Sequence, residues 1–142
     1  MKYLGIDFGT KNIGLAVSDD GGKIAFPYRH ILNSKTLVSD IEGIVLKEKV
    51  QEIILGHSSD AQGKENSVME HVHLFKNNLE VALGLPVIFQ KEFMTSLFAR
   101  QDFNGKTKLH ARQVKQKKQG GDDVGAAVLI LQRYLDSAQP KL

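Results

Sequence analysis

Three carboxylates in this chain stand where secondary-structure elements are predicted to end or begin. Asp7 closes the first predicted strand, Glu92 follows the last strand, and Asp123 opens the last helix. Carboxylates that are brought together repel one another unless a cation lies between them, and ligand sets made only of oxygen favour Mg²⁺ or Mn²⁺. Two such ions can activate a water and stabilise the leaving oxygen in phosphodiester hydrolysis. The three acids therefore predict a metal-dependent enzyme that acts on phosphodiesters.

Each acid taken singly also has an ordinary structural role. Asp7 can bond the backbone of a turn, Glu92 can be a solvated residue after a strand, and Asp123 with Asp122 can complement a helix dipole. Asp7 is nevertheless unusual, because a carboxylate in so apolar a strand loses hydration worth several kcal/mol unless a cation or donors meet it. Which of Asp122 and Asp123 faces the site stays open, since adjacent helical residues point about 100° apart.

The N-terminal hairpin is the element that must position Asp7. Apolar runs at 3–8 and 13–18 flank the sequence Gly9-Thr10-Lys11-Asn12, whose glycine and asparagine tolerate the positive φ of tight turns. Small residues beside Asp7, among them Gly5 and Gly14, leave room for a phosphate or a nucleotide backbone.

The rest of the chain alternates between helical and strand patterns. Pro27 suits an edge strand or a bulge, and Asn33-Ser34 offer a helix cap.

Parallel strands beside the first would bring Asp7 and Glu92 to one sheet edge, where α/β folds usually bind ligands. We expect an α/β fold of order βββαβαβα, with three antiparallel strands and then two parallel strands. After the hairpin, the predicted segments are a strand at 23–31, a helix at 37–50, a strand at 52–56, a helix at 68–83, a strand at 86–90, a short helix at 94–103, a mobile loop at 104–121 and a helix at 122–137.

Composition bounds the class of protein. With 142 residues, 42% of them hydrophobic and 25% charged, the chain predicts one globular domain over residues 1–142. It has no cysteine, which excludes disulfides, thiolate zinc sites and cysteine nucleophiles. The chain enters a strand at once and has no apolar run near the ~18 residues that span a bilayer, so we expect a cytoplasmic protein with no membrane partner.

Positive charge is concentrated in the predicted loop at 104–121. A charge run is often only a solvated surface, but this one belongs to a chain whose acidic site must approach a polyanion, which favours phosphate contact. Aromatic residues are scarce there, so recognition is expected through backbone and shape. Thr10 and Lys11 in the first turn are further candidates. The predicted nucleic-acid contacts of the loop are Lys106, Lys108, Arg112, Lys115, Lys117 and Lys118, with His110 among them.

Three segments resemble a known family. The sequence GIDFGTKNIGLAVSD at 5–19, the acid and the Thr-Ser pair of KEFMTS at 91–96, and DVGAAVLILQRYLD at 123–136 are similar to the YqgF (RuvX) family of Holliday-junction-resolvase-like nucleases. The resemblance spans nearly the whole chain and implies an RNase H-like fold. It also implies a nuclease that uses Mg²⁺ or Mn²⁺ on Asp7, Glu92 and Asp123 to process the 5′ end of pre-16S rRNA, or alternatively to cut four-way DNA junctions.

The chain departs from the family pattern in two places. It has Lys91-Glu92-Phe93 where the family has Asp-Glu-Arg, and Gly56-His57-Ser58 where the family has Gly-Leu-Pro. Lys91 puts a positive charge where an acid usually stands, which would weaken metal affinity or alter the substrate. A catalytically weakened nucleic-acid-binding module is therefore a second interpretation. We interpret His57 as a polar loop residue, with proton transfer or substrate contact as the alternative.

Two further alternatives concern partners. The Asp-x-Gly-Thr turn resembles the phosphate-binding hairpin of actin-like ATPases, but those proteins enclose nucleotide with a second lobe that a chain of this length lacks. The expected partner is nucleic acid, either pre-rRNA or branched DNA. Symmetric junction cutting would require a dimer, and the sequence predicts a monomer or a weak homodimer.

Overall fold

The fold is built on one five-stranded mixed sheet. The structure is a computed structural model that describes residues 1–57, 67–91 and 122–138, and side chains in the last range from residue 124. The strands are β1 Tyr3–Phe8, β2 Asn12–Ser18, β3 Ala25–Leu32, β4 Glu52–His57 and β5 Val87–Lys91. Their order across the sheet is β3-β2-β1-β4-β5. The first three pair antiparallel, and β4 and β5 run parallel to β1, which confirms the predicted α/β class and order.

Helices cover both faces of the sheet. In the described part of the chain these are α1 Leu37–Glu48, α2 Met69–Leu83 and α3 Asp122–Ala138. Apolar side chains of α1 and α2 share one buried cluster with Leu4 and Ile6 of β1, whereas α3 packs with Ile54 on the other face. Because successive strand residues point to opposite faces, β1 and β4 supply both clusters and are apolar almost throughout.

Side-chain hydrogen bonds join the last helix to the start of β3 and to the start of β4. The amide of Gln132 accepts a hydrogen bond from the Ala25 N–H at 2.9 Å and donates one to the Lys23 carbonyl at 3.0 Å. The Tyr134 hydroxyl donates to Glu52 Oε1 at 3.3 Å. Burial, followed by the nearby negative charge of Glu52, raises the pKa of Tyr134. These contacts fix α3 along the strands.

The third strand lies at the edge of the sheet, as Pro27 predicted. The register against β2 shifts between Leu15 and Ala16, opposite the segment that carries Pro27. The strand begins two residues later than predicted, because Lys23 and Ile24 belong to the preceding turn. Their N–H groups donate to Asp19 Oδ1 and lower the pKa of the Asp19 carboxyl.

Helix boundaries differ from the predictions in their capping residues. Thr36, not the Asn33-Ser34 pair, occupies the N-cap position of α1. Asn33 instead donates its side-chain amide to the Gly9 carbonyl at 2.9 Å, which ties the start of α1 to the first hairpin. Lys49 ends α1 at a φ of 57°, and Gly84 ends α2 at a φ of 65°, the latter as predicted.

Two predicted segments lie outside the described residues. These are the short helix at 94–103 and the basic loop at 104–121 with all its candidate phosphate contacts. Among the helices that the structure describes, none has the length and apolar character needed to cross a bilayer.

Candidate active site at the carboxyl edge of the sheet

Asp7 is the penultimate residue of β1 and lies on the sheet face that α3 covers. Two residues earlier, Gly5 meets α3 directly, and Tyr3 stacks edge-on against Tyr134 with ring centroids 5.8 Å apart. Side chains two apart in a strand share a face, so Asp7 continues this row. The Asp7 side chain is half-buried, as expected of a carboxylate set between a packed sheet and its edge.

The direction of α3 brings its first turn towards Asp7. Tyr3 is level with Tyr134, and Gly5 is level with Leu131 and Ala127, so the helix runs antiparallel to β1. Asp7 lies two residues beyond Gly5 in the strand, and the helix turn that precedes Ala127 is its N-terminal turn, which begins at Asp122. The backbone therefore places Asp123 in the turn that approaches Asp7.

Gly5 serves packing, which corrects the prediction that it leaves room for a nucleotide. A Cβ at Gly5 would lie 2.7 Å from the Leu131 Cβ and 3.0 Å from the Ala127 carbonyl oxygen. The space beside Gly5 is therefore occupied by α3, and the glycine is what allows the helix to lie so close to β1.

Glycines flank Asp7 on both neighbouring strands. Asp7 pairs with Gly14 of β2, and on the other side Gly56 of β4 follows the last paired residue. Gly56 pairs in turn with Gln90 of β5. Gln90 thus stands on the Asp7 face, two strands away, with no side chain between the two residues. The sequence did not identify Gln90, because its place depends on the register of the parallel strands.

The turn after β1 also lies at this edge. Thr10 and Lys11 are exposed there, and the Lys11 carbonyl accepts a hydrogen bond from the Asn33 N–H at 2.9 Å. The prediction of positive φ in this turn is wrong, since the described residues with positive φ are Gly22, Gly84 and Lys49. Gly9 is required instead by a close approach to the Asn12 carbonyl, where any Cβ would collide.

Lys91 points away from Asp7. It pairs with His57, and Gln90 pairs with Gly56, so Lys91 and Gln90 lie on opposite faces of the sheet. The ring of His57 packs against His73 of α2, on the face opposite α3. His57 is therefore the last residue of a strand, which corrects its interpretation as a loop residue.

The side chains of the other two predicted ligands lie outside the described part of the structure. Glu92 directly follows the last residue of β5, and of Asp123 only the backbone is described. Among the described residues, no group of three or more acidic, histidine or cysteine side chains could hold a metal ion. The candidate residues have the donor chemistry that suits Mg²⁺ or Mn²⁺, because Asp7 is a half-buried carboxylate and a helix turn that carries two more acids approaches it.

Comparison with solved structures identifies the fold of this protein. The RuvC protein of Thermus thermophilus, solved in complex with a Holliday junction substrate, aligns with a TM-score of 0.56 and 14% identity over 96% of this chain and 94% of that chain. The fowlpox virus resolvase in complex with Holliday junction DNA aligns with a TM-score of 0.54 and 13% identity over 99% and 100%. The fold is that of the RNase H-like resolvases.

The sequence comparisons identify the family within this class. A family model described as "RuvX: Holliday junction resolvase" matches residues 1–137. A protein of Dictyoglomus thermophilum named "Putative pre-16S rRNA nuclease" is 35% identical over 141 residues, which cover 97% of each chain. A protein of the same name from Sulfurihydrogenibium sp. is 34% identical, over 95% of this chain and 90% of the relative. The chain belongs to the RuvX family.

Proposed function

We propose that this protein is a divalent-metal-dependent nuclease that hydrolyses phosphodiesters in structured RNA and processes the 5′ end of pre-16S rRNA. The observation that carries the proposal is the placement of Asp7, half-buried at the carboxyl edge of the sheet and approached by the first turn of α3. Membership of the RuvX family and relatives named for pre-16S rRNA nuclease activity support the substrate. We also propose that residues 1–142 form a single domain and that the protein acts in the cytoplasm.

We assign the metal to Asp7, Glu92 and Asp123. A bound Mg²⁺ or Mn²⁺ supplies activation of water and stabilisation of the leaving oxygen. The three carboxylates provide the negative charge that holds the ion. The glycines on either side of Asp7 keep neighbouring side chains away from the substrate phosphate. Gln90 lies on the same face and has an amide that can donate to a phosphate oxygen.

Two of the proposed contacts to the substrate backbone, Thr10 and Lys11, lie at this edge. Both residues are exposed in the turn that directly follows the strand of Asp7, and we assign them phosphate contacts. The cationic residues at 106–118 are assigned the remaining phosphate contacts, which would make binding strongly dependent on salt. Few aromatic residues accompany them, so the substrate is selected by shape and backbone.

Cleavage assays with two substrates test the proposal. Labelled precursor-type RNA and a synthetic four-way DNA junction are each incubated with Mn²⁺, Mg²⁺ or a chelator, using the wild type and Asp7→Asn. We expect metal-dependent cutting of the RNA that falls at least about a hundredfold in Asp7→Asn, because the substitution removes the charge that holds the metal. Asp20→Asn, an exposed acid in the turn after β2, is the matched control.

The outcomes separate the candidate functions. Preferential cutting of the junction would replace RNA processing by junction resolution, and a mass that rises with protein concentration would accompany it if two subunits cut symmetrically. Binding of either substrate without cutting under any metal would establish a binding module and refute the nuclease.

A further inference from the structure

The three parallel strands end in side chains that point away from the proposed catalytic face. Phe8, His57 and Lys91 are the last residues of β1, β4 and β5. The Phe8 ring lies 5.1 Å from Phe75 of α2, and Lys91 stands beside His57 in the register of β4 and β5. Since neighbours in register share a face, these side chains lie on the α2 side of the sheet edge.

Two imidazoles and one phenyl ring cluster at this point. The ring centroids of His57 and His73 each lie 5.2 Å from the Phe89 ring and 6.4 Å from each other, all in steep edge-on contacts. The Lys76 ammonium stands 5.7 Å from the centroid of the Phe89 ring. We call the group formed by His57, His73, Lys76, Phe89 and Lys91 the edge patch. His73 and Lys91 are its exposed members.

The charges of the edge patch differ in their availability to a ligand. The Lys76 ammonium is paired with Glu80 at 2.7 Å, so part of its charge is compensated. Within the described part of the chain, Lys91 has no acidic partner. Lys91 is thus the member best able to attract an anion, while the exposed ring of His73 provides a stacking surface.

His57 and Lys91 of the edge patch are direct neighbours. They are partners in the register of β4 and β5, so their side chains stand side by side on one face. The ammonium group of Lys91 attracts a polyanion.

We propose that the edge patch binds the backbone of the nucleic-acid substrate on the face of the sheet opposite Asp7. The inference rests on the proposed nuclease function and adds to it the path of the substrate, which passes over the carboxyl edge of the sheet. The Lys91 ammonium contacts a phosphate, and the exposed ring of His73 stacks on a base. Lys91 thus acts on substrate affinity and not on the metal.

The test measures binding separately from cleavage. Fluorescence anisotropy of labelled precursor-type RNA is recorded across a salt series with Asp7→Asn as the parent protein and with Lys91→Asp or His73→Ala added. We expect Lys91→Asp to weaken binding about tenfold and to reduce the slope of log K against log salt by about 0.7–0.9 for the lost phosphate. His73→Ala should weaken binding about fivefold or more, with a smaller change of slope, because it removes stacking.

Lys47→Ala is the matched control. Lys47 is an exposed lysine that lines a groove with Met1 and Lys2, at the opposite edge of the sheet. Its loss should change the affinity less than about twofold, as an exposed lysine outside the interface contributes little beyond net charge. Unfolding curves of each variant show whether the fold is retained, and His73→Ala serves as the second variant if Lys91→Asp disturbs β5.

The results separate this inference from the proposed function. Affinities and salt slopes that remain at the parent values in both patch variants would overturn the inference, whatever the cleavage assay shows. Binding that depends on the patch, in a wild-type protein that cuts neither substrate, would support the inference and refute the nuclease.

Discussion

At the scale of single residues, the candidate site depends on glycines, whose lack of a side chain leaves space, as well as on Asp7. Gly14 and Gly56 flank Asp7, and Gly5 lets α3 approach β1. Of these, Gly5 has the most measurable role. It sets the separation between the strand that carries Asp7 and the helix that carries Asp123.

Gly5→Ala is expected to destabilise the protein. The added methyl would lie 2.7 Å from the Leu131 Cβ and 3.0 Å from a backbone oxygen, and neither atom belongs to a flexible chain end. Overpacking of this kind costs about 1–3 kcal/mol. Urea unfolding at constant m-value measures the loss.

Gly43→Ala supplies a control of opposite sign. Gly43 lies in α1 with nothing within 4 Å of the position that a Cβ would take. The same substitution there should raise the free energy of unfolding by about 1 kcal/mol, since alanine favours a helix over glycine. Equal effects at the two positions would contradict the packing role of Gly5.

At the scale of elements, the site requires α3 to keep its place along the sheet. Packing of apolar residues holds the helix down, but such packing is not directional. The hydrogen bonds of Gln132 to the Ala25 N–H and the Lys23 carbonyl fix its position along the strands. The helix in turn determines where its first turn lies relative to Asp7.

Gln132→Ala is therefore expected to lower the free energy of unfolding by about 1–3 kcal/mol, because it leaves a partly buried N–H without its acceptor. Denaturant unfolding measures the change, and hydrogen exchange at the Ala25 amide should become faster. Asp136→Ala is the control. It removes only the Asp136 carboxylate, which accepts a hydrogen bond from Gln132 Nε2 at 3.0 Å, so the free energy of unfolding should change by no more than about 0.5 kcal/mol. A large effect of Asp136→Ala and none of Gln132→Ala would show that Gln132 does not hold α3 in place.

At the scale of the whole molecule, stability and the proposed chemistry reside in different places. Two buried apolar clusters, one on each face of the sheet, hold the helices to the strands. The proposed metal site lies at the carboxyl edge, beyond both clusters. The fold should consequently form without metal, and binding should add stability only by mass action.

Metal removal tests this separation. A chelator should leave the melting temperature of the purified apoprotein unchanged, whereas Mn²⁺ at a hundred times its Kd should add about 2.7 kcal/mol to the wild type. The added stability should be lost in Asp7→Asn and kept in Asp20→Asn. Unfolding on chelation would show that the metal is structural, and an equal Mn²⁺ effect in Asp7→Asn would remove Asp7 from the ligands.

Much of the fold was predictable from local pattern. Alternation and helical spacing identified the order βββαβαβα, and Gly84 and Pro27 marked a helix end and an edge strand. These features depend on neighbours a few residues away. Asn33 was assigned to a helix cap, but its side chain bonds Gly9, a residue twenty-four positions earlier. Propensity could not reveal such a contact.

The sequence by itself determined the strand that carries Asp7, the apolar faces that bury each element, and the family to which the chain belongs. The tertiary structure alone decided that Gly5 receives α3, that Gln90 shares the face of Asp7, and that Lys91 turns to the opposite face beside His57. The physical reason is the register of the parallel strands. Residues far apart in the chain become neighbours through it, and a shift of one position would exchange the two faces.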